Sequence, residues 1–466
     1  MTNKKEKNKQ GPLELNLFKG KKLKEAAELL SDLIQIKSVN PPGNETVAAE
    51  FCKDLLEREG FKDIELIESE PSRGNIICRW HGSDPDAKSL LLLAHLDVVP
   101  ADPSNWERDP FSGDIDEKYV WGRGAVDCKG MVAAEAMAAI FLKREGFQPK
   151  GDVILAFTAD EEAGGEKGVG YLARNHWDKI NADYAINEGG GFLLPLGSDP
   201  KDYIAQTGEK GVFWTKIRVK GKGGHGSMPT KKKDNAIYKL TQIVEKIIDY
   251  KYPIEITQPV EEMAEKISMP GIAKKLLKSK RLIRPIVKIA DFITGEGLSR
   301  LILPLVMDIV NPTGLKGSQK VNIIPQTAEI TLDCRLLPNH DRKTIKHYIQ
   351  DAIGKKMMEE IEILPIEPTQ PATVNSTEHP FWDHVEKIMN KMHKGSTLVP
   401  MLSAGSTDSK FIRERGNYIL GFNPMIVDPN MSYSKMAEMP HGKNERMWKP
   451  NLSYSLEFFY RLIKSI

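Results

Sequence analysis

An α/β fold, with a central, mostly parallel sheet flanked by helices and interrupted by an inserted α+β domain, is predicted by three observations along the 466-residue chain. Short apolar runs alternate with helix-length amphipathic stretches in the first and last parts of the sequence. One such run, Leu90 to Leu93, is continuously apolar, which suits a strand buried on both faces. In the middle of the chain the texture changes, and strands and helices segregate. The predicted division is a catalytic domain over residues 1–210 and 367–466, with an inserted domain over 211–366.

Each element follows from its own pattern. Apolar residues recur at helical spacing from Leu23 to Ile36, SVNPPGNET breaks that helix, and AAEFCKDLLEREG resumes one that ends at Gly60. NIICRW and SLLLLAHLDVV read as strands, MVAAEAMAAIFLKREG as a helix, DVILAFTA as a strand, VGYLARNHW as a helix and ADYAINE as a strand. After Gly208, GVFWTKIRVKGKGGHGSMP alternates as a strand and enters a glycine-rich loop, and DNAIYKLTQIVEKIID follows as a helix. VNIIPQTAEITLDCRLLP supplies two strands and RKTIKHYIQDAIGKKM another helix. Near Pro371 the α/β texture returns with HPFWDHVEKIMNKM, NYILGFNP and a closing helix, NLSYSLEFFYRLIKSI. Residues 256–310 fit neither texture, being basic, amphipathic or apolar, and broken by Pro and Gly. A helical excursion packed on the inserted domain is the expectation there, with docking to a membrane surface as the alternative.

Composition narrows the function. Lys plus Arg total 66 and Asp plus Glu 64, a formal balance of +2 without the basic excess of a nucleic-acid protein. No run reaches the roughly 18 apolar residues of a membrane span, so no membrane partner is expected. The polar MTNKKEKNKQ start has no apolar stretch of a secretory signal behind it and reads as a solvated tail. Four cysteines lie far apart without a CxxC pair, which points to a reducing cytoplasm.

The chemistry gathers at strand ends. LLLLAHLD ends on His95 and Asp97, VILAFTADEE on Glu161 and Glu162, and YAINE on Glu188. Ligands of an open α/β sheet bind beyond the carboxyl ends of its strands, so these side chains can converge. Asp127, in a glycine-flanked turn before a helix, can join them. His95 and Asp97 point the same way in extended chain, as a metal ligand and the carboxylate that orients it would. Adjacent Glu161 and Glu162 repel each other unless a cation relieves them. In this reading Asp127 bridges two metals. His95 and Glu188 complete one site, and Glu162 with a late histidine, His441, completes the other. Two dications against three carboxylates leave one positive charge for a hydroxide to neutralise, and Glu161 is left as the general base. GGEKGVG lacks the GK[ST] ending of a phosphate loop.

HLDVVP, GRGAVDCKGM, FTADEEAGG, NEGGG, GKGGHGSMP, VNIIPQTAEITLDCRLLP, GSTDSKFIRERG and MPHGKNE together resemble the dinuclear-zinc metallopeptidases related to aminoacylase. That family includes acetylornithine deacetylase, succinyl-diaminopimelate desuccinylase, glutamate carboxypeptidase and carboxypeptidase S. The resemblance runs from about Ile36 to the C-terminus, and GSTDSKFIRERG and ILGFNPM look most like the aminoacylase and carboxypeptidase S branch. It implies a zinc-exopeptidase-like fold with an inserted dimerisation or lid domain. It also implies a homodimer and two divalent ions, zinc or alternatively cobalt or manganese. His95, Asp127 and Glu188 then hold one ion, Asp127, Glu162 and His441 the other, with Asp97 orienting His95 and Glu161 as the catalytic glutamate. His225 is implied to reach the partner's site and steady the substrate carbonyl. Asn322, Arg335 and Arg413 are implied to grip substrate or its carboxylate, and Gly405 and Thr407 to shape the pocket; Arg335 can equally pair with Asp333. The expected activity is cleavage of the amide bond of N-acyl amino acids, or of short peptides with a free carboxylate. A non-catalytic dimeric scaffold on the same fold is the alternative, and retention of every ligand and of Glu161 argues against it. An aminopeptidase is disfavoured by the HGSMP loop. Cys128, after the bridging aspartate, reads as a buried bystander, and the 256–310 segment resembles the long insert of the carboxypeptidase S branch.

Overall fold

Leu90 and Leu92 enter one hydrophobic core and Leu91 and Leu93 another, so the apolar run is a strand, Leu90–His95, covered on both faces. In this computed structural model, which describes residues 18–194, 201–294 and 298–466, that strand lies inside a nine-stranded sheet. The run Met1 to Gln10 lies outside the described residues. Parallel pairing joins Leu90–His95 to Val153–Thr158 on one side and to Tyr184–Asn187 on the other, and Tyr418–Gly421 adds to the latter. These four strands end at one edge of the sheet, which is where the predicted ligands lie. Asp63–Glu68 and Gly74–Trp80 extend the sheet antiparallel beyond Val153–Thr158. Asp202–Glu209 extends the other side and carries Thr397–Ser403 parallel to it.

Helices Lys21–Gln35, Glu45–Arg58, Lys129–Arg144 and Lys449–Lys464 cover one face through a single large core. Val169–Asn175 and Ser409–Glu414 close the other, where Phe411 and Ile412 meet Ile154 and Ile419. After Glu209 the chain leaves the sheet and builds an antiparallel one from Thr215–Lys220, Ile309–Lys316, Thr327–Leu336 and Ile361–Pro365. Burial alternates along Thr327–Leu336, and helices Ala236–Asp249 and Arg342–Ile353 share its buried side. The chain returns at Thr373–Val374, which pairs with Asp202–Glu209.

The 256–310 segment is helical, over Gln258–Lys266, Gly271–Leu277, Ile283–Thr294 and Leu298–Val306, but the expected packing on the inserted domain is not what is observed. Val260, Met263, Ile267, Ile283, Val287 and Val306 pack against Ile204 and Val399, which belong to the central sheet. The reason is complementary exposure. The inserted sheet already has two helices on its apolar face, whereas Ile204 and Val399 would otherwise leave an apolar flank of the central sheet in water. Polar hooks secure the arrangement: Ser268 donates to Asp202 through its N–H at 2.6 Å and its hydroxyl at 2.7 Å. Lys210, where the chain leaves the sheet, donates to the carbonyls of Pro304 and Met307 at 3.0 and 2.6 Å.

Met263→Ala and Ile283→Ala, both buried in this contact, are expected to cost about 2–5 kcal/mol each in urea unfolding. Limited trypsin digestion of either variant should cut first in the basic run around Lys280.

Candidate metal centre

The parallel register brings the ligands together. His95 is the last residue of its strand, Glu188 follows Asn187 directly, and Glu161–Ala163 forms a single 3-10 turn just past Thr158. Asp127 precedes the long buried helix that starts at Lys129. His95 Nε2 lies 3.0 Å from an Asp127 oxygen and 3.7 Å from a Glu188 oxygen. His441 Nε2 lies 2.9 Å from Glu162 and 3.3 Å from the other Asp127 oxygen. Asp127 therefore stands between the two imidazoles. One Glu162 oxygen, Oε1, is buried without a hydrogen-bond partner, a polar atom with room for a cation. Three carboxylates and two imidazoles in this arrangement fit a pair of divalent ions, which would lower the pKa of a water held there and polarise a carbonyl.

His95 Nδ1 is 2.9 Å from the backbone carbonyl of Asp97. A carbonyl only accepts, so Nδ1 carries the proton and Nε2 keeps its lone pair for a cation. The Asp97 carboxylate is farther from the ring, at 3.4 Å, and its main work is elsewhere. It accepts the N–H groups of Glu161 and Glu162, both at 3.1 Å, and the Asn40 amide at 2.8 Å. One buried residue thus fixes both the ring, through its carbonyl, and the turn that carries Glu161, through its carboxylate.

Proton affinities record the crowding. Burial, then the charge of Glu188, pushes Glu161 well above the ordinary carboxylate range. Burial likewise lifts Glu188 to about 7. Hydrogen bonds to Asp127 and Glu162 raise His441 to about 10. Burial opposes the charged form of His95, but the carboxylates of Glu188, Asp127 and Asp97 outweigh it and raise that ring too.

Residues 91–465 match the model of the peptidase family M20/M25/M40. The chain belongs to that family. Aminoacylase-1 of Sus scrofa is 25% identical over 94% of this chain and 94% of its own length. Carboxypeptidase S of Saccharomyces cerevisiae is 26% identical over 93% of this chain and 82% of its own. The crystal structure of an M20 metallo-carboxypeptidase from Sulfolobus solfataricus shares the fold, with a TM-score of 0.69 at 21% identity, covering 94% of this chain and 98% of that one. As an M20 member the protein is a metal-dependent hydrolase of amide bonds.

In this M20 chain four of the other expected residues meet in two pairs. His225 and Asn322 come together in a ribbon where Gly224–His225 pairs with Ile323–Ile324 and Gly226 N–H donates to Asn322 O at 2.8 Å. His225 is exposed, its ring 2.7 Å from the Ser227 hydroxyl. Arg335 lies on the inserted sheet and is paired with neighbouring Asp333 at 2.8 Å. Arg413 and Thr407 meet at Glu209, which accepts from the guanidinium at 3.1 Å and from the threonine hydroxyl at 2.6 Å. Glu209 also accepts the Gln206 amide, and Gln206 abuts Gly189, whose added Cβ would lie 1.6 Å from its oxygen. That group stands one layer behind Glu188. Gly405 N–H is turned back to the Ser403 hydroxyl at 3.0 Å.

Several supporting residues were not singled out from sequence. Glu445 accepts the N–H groups of Val126 and Asp127 at 2.8 and 3.1 Å and binds Arg123 at 2.6 Å, while Arg123 reaches the His441 carbonyl at 3.2 Å. Arg73 binds Glu45 at 2.9 Å and Asp160 at 2.6 Å, and Asn40 links that group to Asp97. Gly43, at φ +90°, lets the guanidinium pass where a Cβ would approach it to 2.4 Å. Asp408 is buried with neither oxygen hydrogen-bonded, against Gly165 in the loop after Glu162. Cys128 accepts the His95 N–H at 3.2 Å, and burial pushes its thiol up, so it serves as a neutral acceptor. Arg123, Asp160, Asp408 and Glu445 lie within the motifs GRGAVDCKGM, FTADEEAGG, GSTDSKFIRERG and MPHGKNE, whereas Asn40, Glu45 and Arg73 lie in none of them.

Two outcomes are expected. Glu188, raised from 4.5 to about 7, costs stability as pH rises between those values. The His441 contribution is complete below 6.5 and is lost as pH rises through about 10. Metal-stripped protein should therefore lose several degrees of Tm from pH ~6 to ~9, and metal-loaded protein much less, since the cation replaces the protons. Arg73→Met leaves Glu45 and Asp160 buried and unpaired; it should lower stability by about 3–5 kcal/mol in denaturant unfolding and weaken metal retention by about 10–100-fold in equilibrium dialysis.

Proposed function

We propose that this protein is a dinuclear metallohydrolase of N-acyl amino acids or short peptides with a free carboxylate. Asp127 would serve both ions, with His95 and Glu188 holding one and Glu162 and His441 the other. The ions are zinc in this reading, with cobalt or manganese able to fill the same oxygen- and nitrogen-rich sites. The observation that carries the proposal is Glu161. It sits beside Glu162, and the Asp97 carboxylate holds its backbone N–H at 3.1 Å, so its side chain is left free next to the ligand set. A carboxylate so placed, ionised once cations occupy the site, takes a proton from water and returns it to the leaving amine.

His225 donates to the substrate carbonyl oxygen as negative charge develops there. Its exposure supports delivery to a second subunit, and so a homodimer. Asn322, next to it, supplies an amide contact. Arg413 supports recognition of a carboxylate, since its Nη2 is buried without a hydrogen-bond partner, and Arg335 is the second guanidinium of the set. Gly405 and Thr407 shape the neighbouring wall. Four cysteines, all buried and none paired, support residence in a reducing cytoplasm; among the described residues no helix is long and apolar enough to cross a membrane.

The test is hydrolysis of a panel of N-acyl amino acids and dipeptides by wild type and Glu161→Gln, with metal content measured on both. Glu161→Gln should keep two ions and lose about 10²–10⁴-fold in kcat. A variant that keeps its ions and its rate removes Glu161 as the base.

A further inference from the structure

The helical excursion has a second face. From Lys266 to Ala290 the chain carries eight basic residues and no acidic one. Some of these cations have partners: Lys278 binds Glu265 at 2.7 Å, and Arg284 donates to the Tyr252 carbonyl at 2.5 Å. Lys275, Lys280, Arg281 and Lys288 are exposed and form no ion pair with any described residue. Large aliphatic side chains lie among them, Ile272 at 77% exposure, Leu282 at 48% and Ile289 at 59%.

The pattern is periodic. Along and just before Ile283–Thr294, the exposed positions Arg281, Leu282, Pro285, Lys288 and Ile289 fall within one arc of about a third of a turn. Ile283 and Val287, packed on the central sheet, lie on the opposite side. The apolar residues that face water are therefore not left over from a poorly packed core, because the core side of the helix is separately filled. Nor does an isologous contact with a second copy suit this surface, since it would set two unpaired basic patches against each other. A nucleic acid would satisfy the cations but offer nothing to the three aliphatic side chains. A bilayer with acidic headgroups satisfies both, taking the aliphatic groups below the headgroup level and the ammonium and guanidinium groups at it.

We propose that the outer face of helices Gly271–Leu277 and Ile283–Thr294, with the turn between them, docks this protein reversibly on anionic lipid bilayers. The inner face meanwhile holds the excursion to the catalytic sheet. Docking is thus transmitted to the catalytic domain through the Ile204–Val399 contact and the Lys210 hook. This inference does not depend on the substrate assigned above.

The experiment is co-sedimentation of the full chain with vesicles of phosphatidylcholine alone and of phosphatidylcholine mixed with phosphatidylglycerol. Binding to the mixed vesicles only, weakening as salt is raised, is the expected result. The variant K275E/K280E/R281E/K288E should bind at least about a hundredfold more weakly, as loss of four surface cations requires. The variant I272S/L282S/I289S should bind at least about tenfold more weakly. Both should keep wild-type Tm and metal content, because every substituted side chain is exposed. No sedimentation with the mixed vesicles at low salt overturns the proposal, as does undiminished sedimentation of the charge-reversed chain. Full retention of binding by I272S/L282S/I289S, with equal retention of wild type on immobilised DNA, overturns it in favour of a general polyanion surface.

Discussion

Asp127, Glu161, Glu162 and Glu188 meet around two imidazoles at the carboxyl edge of the central sheet, and their mutual repulsion must be held in check before any cation arrives. Side chains do little of that work directly: burial and the repulsion show instead as raised proton affinity at Glu161 and Glu188. What fixes the positions is backbone. Asp97 accepts two successive N–H groups from the Glu161 turn, and Glu445 accepts two successive N–H groups from the Asp127 turn. Asp127, Glu161 and Glu162 are thus placed by carboxylates outside the ligand set, and a residue whose backbone is pinned has its side chain free for metal or substrate.

Those two supports are anchored in turn. Arg73 ties Glu45 to Asp160, and Asn40 connects that pair to Asp97; Arg123 ties Glu445 to the His441 loop. Buried pairs of this kind contribute little net stability, because desolvation offsets most of their attraction. Their value here is geometric: they join the loops after three strands and one distant loop into a frame around the ligand set.

The inserted domain and its excursion act at the opposite flank. The chain leaves the sheet at Lys210, and Lys210 itself grips the carbonyls of Pro304 and Met307, where the excursion returns to the inserted sheet. The excursion therefore spans both domains, and its apolar inner face covers Ile204 and Val399 in place of a helix from the catalytic domain. A segment that looks like an appendage in sequence is part of the wall of the central domain.

The strands and the candidate ligands that cluster at their ends were legible in the sequence because each rests on a local rule. Four consecutive leucines require burial on both sides, parallel strands end together, and so His95, Glu162 and Glu188 had to share an edge. Asp127 and His441 were legible through glycine-flanked motifs. The packing of residues 256–310 was not, because amphipathic helices declare that they have an apolar face without declaring which surface it covers. Arg413 and Arg335 show the same limit: a guanidinium in a motif can meet a ligand or a neighbour, and here Glu209 and Asp333 stand beside them. The supporting Asn40, Glu45 and Arg73 were equally silent, since long-range pairing of isolated polar residues leaves no periodic trace. By itself the sequence determined which residues could bear the chemistry, because strand burial and residue type act locally. The tertiary structure alone decided what holds those residues apart and what the long insert covers, because both depend on contacts between segments that share no pattern along the chain.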